Sequence, residues 1–172
     1  MFELTRRHLP STDLLRLLDM VVLHVLVCNT DAHAKNYAIM IKGNGASLAP
    51  MYDVMCGEVW ENVTKSLAQK IGGTGRGDAL TARHWRQFAR DCGLNPGQVL
   101  ERIRTLAEAA RAEAPAAASE VAAMPAGSHP VLEQAQQAVE RRAKLILARL
   151  QEGEEERLPN QPQRAVPASL TA

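Results

Sequence analysis

The sequence is poor in aromatic residues. Only 3% of its 172 residues are Phe, Trp or Tyr, so a core must be built from Leu, Val, Ile, Ala and Met. An apolar fraction of 46% is enough for one. Charge of one sign is also lacking, with a formal net charge of +1. That removes any global electrostatic case for nucleic acid or an anionic membrane. Cysteine is scarce, and Cys28, Cys56 and Cys92 have no paired spacing. Such a set excludes a disulfide framework and a structural zinc site, and fits a reducing cytoplasm. Met1 to Pro10 is mixed and charged, unlike a signal peptide. No uncharged apolar run approaches the ~20 residues a membrane span needs. The longest candidate, Leu14 to Val27, is interrupted by Arg16, Asp19 and His24 and reads as a buried helix. The chain has room for one domain, or one lobe and a tail.

What is present is mostly helical pattern. Ser11-Thr12-Asp13 offers N-cap groups for a helix carrying Leu14, Leu15, Leu17, Leu18, Val21, Val22, Val25 and Leu26. It is apolar nearly all round, so other helices should surround it. Tyr37 to Ile41 and Ala46 to Ala49 read as two strands joined by the turn Lys42-Gly43-Asn44-Gly45. Met55 to Gly77 has little pattern, and its Gly-rich, basic end from Lys70 reads as a mobile loop. Thr81 caps a helix through Cys92 with Gly93 at C′, and Asn95-Pro96 opens the next. Ala112 to Ala126, with Pro115 and Pro125, reads as a weak helix or linker. Val131 to Leu150 is amphipathic again. An acidic run and several prolines predict disorder over 151–172. The expected division is a short leader over 1–13, a lobe over 14–150 and that tail.

The chemistry is concentrated in Asn29-Thr30-Asp31-Ala32-His33-Ala34-Lys35-Asn36-Tyr37, between the apolar helix and the first strand. An acid, an imidazole, an ammonium and an amide there make a poor core and a good site. A second acid, Asp53, comes after the strand pair in Ala49-Pro50-Met51-Tyr52-Asp53. Asp, Asn five residues on, and another Asp after a hairpin is the spacing of a protein-kinase catalytic loop and its magnesium-binding Asp. Asp31 suits the carboxylate facing a substrate hydroxyl. Asn36 and Asp53 offer the hard oxygens magnesium prefers. Lys35 can neutralise charge on a phosphoryl group, and His33 can orient the loop. Singly, each has an ordinary explanation: Asp and Asn cap turns, His33 hydrogen-bonds, Lys35 is solvated. Together in one short loop they point to catalysis.

The loop, with Leu48-Ala49-Pro50-Met51-Tyr52-Asp53-Val54, resembles the C-terminal kinase lobe of the HipA family of bacterial serine/threonine kinase toxins. Further matches lie in Leu67 to Gly73 and in Leu80 to Leu94, and the likeness spans about Leu14 to Leu150. The resemblance implies a mainly α fold with a small β-hairpin, the helical lobe of a protein-kinase-like structure. It implies Asp31 as catalytic acid/base and Asn36 and Asp53 as magnesium ligands, with His33 and Lys35 at the family's loop positions. It also implies ATP and Mg, a protein substrate such as an aminoacyl-tRNA synthetase, and an antitoxin partner. Nucleic acid would be met only through that antitoxin.

Kinases of this type carry upstream an N-terminal lobe with a phosphate-covering loop and an ATP-contacting Lys. Nothing before Leu14 reads as either, and Gly72 to Gly77 lies after the catalytic residues. The expectation is therefore a carboxyl lobe, inactive by itself or completed by a separate N-lobe chain. Two alternatives stay open: a non-catalytic, partner-binding remnant, and a small-molecule phosphotransferase of the aminoglycoside kinase kind. The latter usually has His-Gly before the Asp, where this chain has Asn29-Thr30.

Overall fold

The computed structural model describes residues 1–155 except 44, 126 and 128, so the expected tail beyond residue 155 lies outside the described residues. In order come α1 Phe2–His8, α2 Ser11–Leu26, β1 Ile39–Lys42 and β2 Gly45–Leu48, then β3 Ser66–Ile71 and β4 Thr74–Arg76. Three helices complete the order: α3 Ala82–Asp91, α4 Pro96–Ala122 and α5 Pro130–Glu155. Single 3-10 turns occupy Ala34–Asn36, Gly57–Val59 and Gly77–Ala79. The strands make two separate antiparallel hairpins on a helical body. No described helix is long and apolar enough to cross a membrane.

The core is aliphatic around one aromatic centre. Leu18, Val22, Val25 and Leu26 of α2 meet Trp85 and Phe88 of α3, Ile103 of α4, and Ile146 and Leu150 of α5. Trp85 is 1% exposed and packs edge-on against Phe88. The stretch 1–13, read as a leader, holds α1, whose Phe2 packs edge-on against Phe88 with centroids 5.5 Å apart. α2 is not enclosed on every side: Leu15 near its start is 59% exposed, and burial becomes general only towards Leu26.

Several expected boundaries shift, each for a local reason. The N-cap of α2 is Pro10, not the Ser11-Thr12-Asp13 side chains. Asp13 instead reaches out of its helix: the buried carboxylate accepts the Leu48 N–H at 2.8 Å and pairs with Arg16. It thereby fastens the first hairpin to α2, beside a small cluster of Leu17, Met20, Tyr37 and Leu48. Thr81 with His84, and Asn95 with the Gly97 and Gln98 N–H groups, cap as expected. α4 runs through Pro115 to Ala122 because its alanines are strong helix formers and its buried stripe is already complete by Ala107. α5 continues past Leu150 to Glu155. Gly153 lies so close to Ala82 that a Cβ there would come within 2.6 Å of the Ala82 Cβ, and the Gly153 carbonyl accepts from Arg86.

The stretch expected as a mobile loop is the second hairpin. β3 and β4 pair with Ile71 opposite Thr74. The turn uses Gly72 at φ 53° and Gly73 at φ 91°. Two successive residues in the left-handed region suit a type I′ hairpin turn. Ile71 is buried and Leu67 half-buried, whereas the residues between are exposed, so the alternation is too short to read. Gly72→Ala is expected to destabilise the protein by roughly 3 kcal/mol or more, a backbone clash at an incompatible φ. Its Cβ would lie 2.0 Å from the His84 carbonyl oxygen, whereas Gly73 faces open space. Melting temperatures of the two alanine variants check this: equal values for Gly72→Ala and wild type would contradict the packing of the hairpin on α3.

Candidate functional site

The loop begins where α2 ends. Cys28 takes a left-handed φ of 58°, and the Asn29 N–H bonds back to the His24 carbonyl at 2.8 Å. Asn29 is fully buried, and its amide organises the loop. Oδ1 accepts the Asp31 N–H at 2.9 Å. Nδ2 meets His24 Nδ1 at 3.0 Å and donates to the Asp53 carbonyl at 3.3 Å. One side chain thus holds the main chain of both candidate acids.

The remaining loop bonds are short-range. The Asp31 carbonyl accepts from the His33 N–H at 2.7 Å and from Asn36 Nδ2 at 2.9 Å. Asn36 is buried, with Nδ2 committed to the loop, and its carbonyl Oδ1 is the atom suited to a cation. The Asp31 side chain is 58% exposed, and its Oδ1 lies 3.8 Å from His33 Nε2. His33 Nδ1 is buried without a hydrogen-bond partner. Lys35 is exposed, and its carbonyl accepts the Tyr52 hydroxyl at 2.6 Å. From the far side, Gln69 of β3 donates to the Ala32 carbonyl at 2.9 Å.

Asp53 is exposed at a φ of 55°, a conformation Asp and Asn tolerate better than most residues. The first hairpin pairs Ile39 with Leu48, and Ala49 bonds to Ala38, returning the chain to the loop it left. Asn29 and Tyr52 then fasten the Asp53 segment to that loop. Asp31, His33, Lys35 and Asn36 share one tightly bonded turn, and Asp53 is joined to it through main-chain atoms. Asn29, Tyr52 and Gln69 were not singled out by their chemistry. Asn29 shortly after an apolar helix is a signal, but the same pattern also merely ends helices.

Among the described residues no group of three or more His, Cys, Asp or Glu could hold a metal. Asn36 and Asp53 would offer one amide and one carboxylate oxygen, ligand types that magnesium takes together with waters and substrate phosphates.

Behind the loop lies a cavity of about 390 Å³, with His24, Asn29, Ala32, Tyr37 and Ile71 in its walls. His24 is 2% exposed, stacks edge-on against Tyr37, and has no partner at Nε2. Burial lowers its pKa. The unfolded chain takes up this proton near pH 6.5, the folded chain only at lower pH, so the unfolded state binds more protons between the two. The contribution is complete above about pH 6.5 and is lost as pH falls through the folded value. Urea midpoints should therefore fall between pH 7 and pH 5, and His24→Gln should flatten that part of the profile.

The HipA chain of the Shewanella oneidensis MR-1 toxin–antitoxin system, solved with HipB and operator DNA, matches at a TM-score of 0.69. Identity is 20%, over 81% of this chain and 33% of that one. The chain belongs to the family of HipA-like C-terminal domains, whose model matches residues 1–114. It is also 34% identical over 109 residues to the "Putative kinase Y4mE" of Sinorhizobium fredii (strain NBRC 101917 / NGR234). That match takes in 62% of this chain and spans about a quarter, 26%, of the relative's length.

Proposed function

We propose that this chain is the carboxyl lobe of a HipA-like serine/threonine protein kinase, moving the γ-phosphate of ATP to a protein hydroxyl. The observation that carries the reading is the Asn29 side chain, bonded at once to the main chain of Asp31 and of Asp53. A buried residue spent on aligning two exposed carboxylates has a purpose at their surface. Asp31, open to solvent on a rigid turn, accepts or orients the proton of the attacking hydroxyl. Asn36 and Asp53 are the residues that would hold magnesium. The ion, when bound, neutralises charge on the phosphates. Lys35 adds a positive charge on the same loop, and His33 stands within 3.8 Å of the Asp31 carboxylate.

The same reading gives the chain an antitoxin partner in a cytoplasmic setting, by analogy with the HipA–HipB–DNA assembly of Shewanella oneidensis. A protein such as an aminoacyl-tRNA synthetase is the substrate class. Since the relatives are three to four times the length matched, full activity is assigned to an assembly that supplies the remainder. The test on this chain is thermal melting with ATP and magnesium together and separately. A ligand at 100 times its Kd stabilises by about 2.7 kcal/mol, a readily measured shift. Stabilisation that needs both components is expected. No shift at millimolar magnesium-ATP would remove nucleotide binding from this lobe.

A further inference from the structure

Cys28 and Cys56 lie at the two roots of the candidate site, three residues before Asp31 and three after Asp53. The two thiols lie close enough to shift one another's ionisation, and the Cys28 thiol donates to the Leu26 carbonyl at 3.8 Å. The backbones are fastened beside them, with the Gly57 N–H donating to the Cys28 carbonyl at 2.9 Å. Gly57 must lack a side chain for this approach, because a Cβ there would lie 2.5 Å from Thr30 Oγ1. The two sulfurs differ in access: Cys28 is 2% exposed, while Cys56 is half-buried. Both are free thiols.

We propose that Cys28 and Cys56 form an oxidisable dithiol, a modification site at which a hydroperoxide closes a reversible disulfide across the base of the loop. Cys56 is the attacking sulfur, since it is the one a small oxidant can reach. The neighbouring Cys28 thiol, with smaller effects from the Glu58 and Val59 main chain, brings its pKa down to about 6 against the opposing effect of burial. The same contact and burial push the Cys28 thiol up. Arg142, buried and paired with Glu58 at 2.7 Å, is the nearby cation.

In the first step the Cys56 thiolate attacks the terminal oxygen of the hydroperoxide and breaks its O–O bond. Cys56 becomes a sulfenic acid, and the alkoxide or hydroxide released takes up a proton. In the second step Cys28 loses its proton and its sulfur attacks that of Cys56. The S–O bond breaks, water leaves, and the disulfide forms. The sulfurs together give up two electrons and the peroxide accepts two. The disulfide closes a ring over residues 28–56 that contains Asp31, His33, Lys35, Asn36, Asp53 and the whole first hairpin. It requires no phosphate transfer and stands apart from the kinase reading.

The full chain is treated with hydrogen peroxide, alkylated, cut with trypsin and weighed without reduction. The expected product is peptide Leu17 to Lys35 joined to Gly43 to Lys65, about 2 Da below their summed mass and separated by dithiothreitol. Cys92→Ser should leave the cross-link intact. Cys28→Ser should trap Cys56 as a dimedone-reactive sulfenic acid, and Cys56→Ser should leave Cys28 unoxidised. Hydrogen exchange over residues 31–36 should slow in the oxidised chain. Oxidation of Cys56 directly to sulfinic acid without a cross-link, or cross-links to Cys92 in equal amount, would overturn the proposal. Cys56→Ser changes a half-buried residue, so that arm remains informative if Cys28→Ser fails to fold.

Discussion

Asp31→Asn, in an active assembly containing this lobe, is expected to lower phosphate transfer about 10²–10⁴-fold, the usual contribution of a general base. Magnesium-dependent ATP affinity should be unchanged. The substitution is a clean one structurally. The Asp31 side chain is mostly exposed, and the turn is held by its N–H and carbonyl rather than its carboxylate. Asp53→Asn is expected to weaken both magnesium-ATP binding and transfer, because a neutral amide is a poorer partner for a hard dication. It too preserves the backbone, since Asn tolerates the left-handed φ of 55° at this position. Asn36→Ala should act like Asp53→Asn but less strongly on affinity, as a neutral ligand is lost. Affinity and transfer measured on all three variants decide the assignment. Intact affinity in Asp53→Asn with lost affinity in Asp31→Asn would exchange the roles of the two acids. Intact transfer in both would remove the kinase reading.

The candidate residues were legible because several ionisable groups between two apolar runs cannot all be core. The first hairpin was legible for a related reason: Gly43 and Gly45 sit between two short, mostly apolar segments. The second hairpin was not, because only Ile71 of β3 is fully buried and a single buried position has no period. Its turn glycines looked like mobility, yet Gly72 is needed for close approach to His84. Asp13 sat where a cap belongs and its type fitted one. Its partner, the Leu48 N–H, lies on an element 35 residues away that no local pattern names. The approach of the Cys56-Gly57 segment to Cys28 was invisible likewise, because it depends on how Gly57 meets Thr30. Local pattern shows which residues are unusual; the bonds that align them join distant segments.

Asn29→Leu tests the alignment itself and is expected to cost about 3–5 kcal/mol, from three groups left unpaired at roughly 1–3 kcal/mol each with water replacing part of the loss. Those groups are the Asp31 N–H, the Asp53 carbonyl and His24 Nδ1. Against a total stability of about 5–15 kcal/mol this is a large fraction. Leucine keeps the branched shape and the number of side-chain heavy atoms, so no cavity is opened and most of the loss is hydrogen bonding. Thermal melting would show it, together with faster proteolysis around residues 29–36. Asn29→Asp separates hydrogen bonding from burial by changing the sign of a pH effect. A carboxylate at this buried position faces His24 Nδ1, so the folded state takes up a proton, either on the imidazole or on the carboxyl itself. The folded pKa of that site then lies above its unfolded value, and the folded chain binds more protons than the unfolded one in between. Stability is complete below the unfolded value and is lost as pH rises through the folded one. Wild type, with a neutral His24 whose pKa is lowered by burial, should show the opposite trend below about pH 6.5. Urea midpoints of the two proteins from pH 5 to pH 8 should therefore converge on acidification. Parallel profiles would mean that Asn29 and His24 do not share a proton-bearing contact, and that the Asn29 amide does not hold the loop in the way its hydrogen bonds describe.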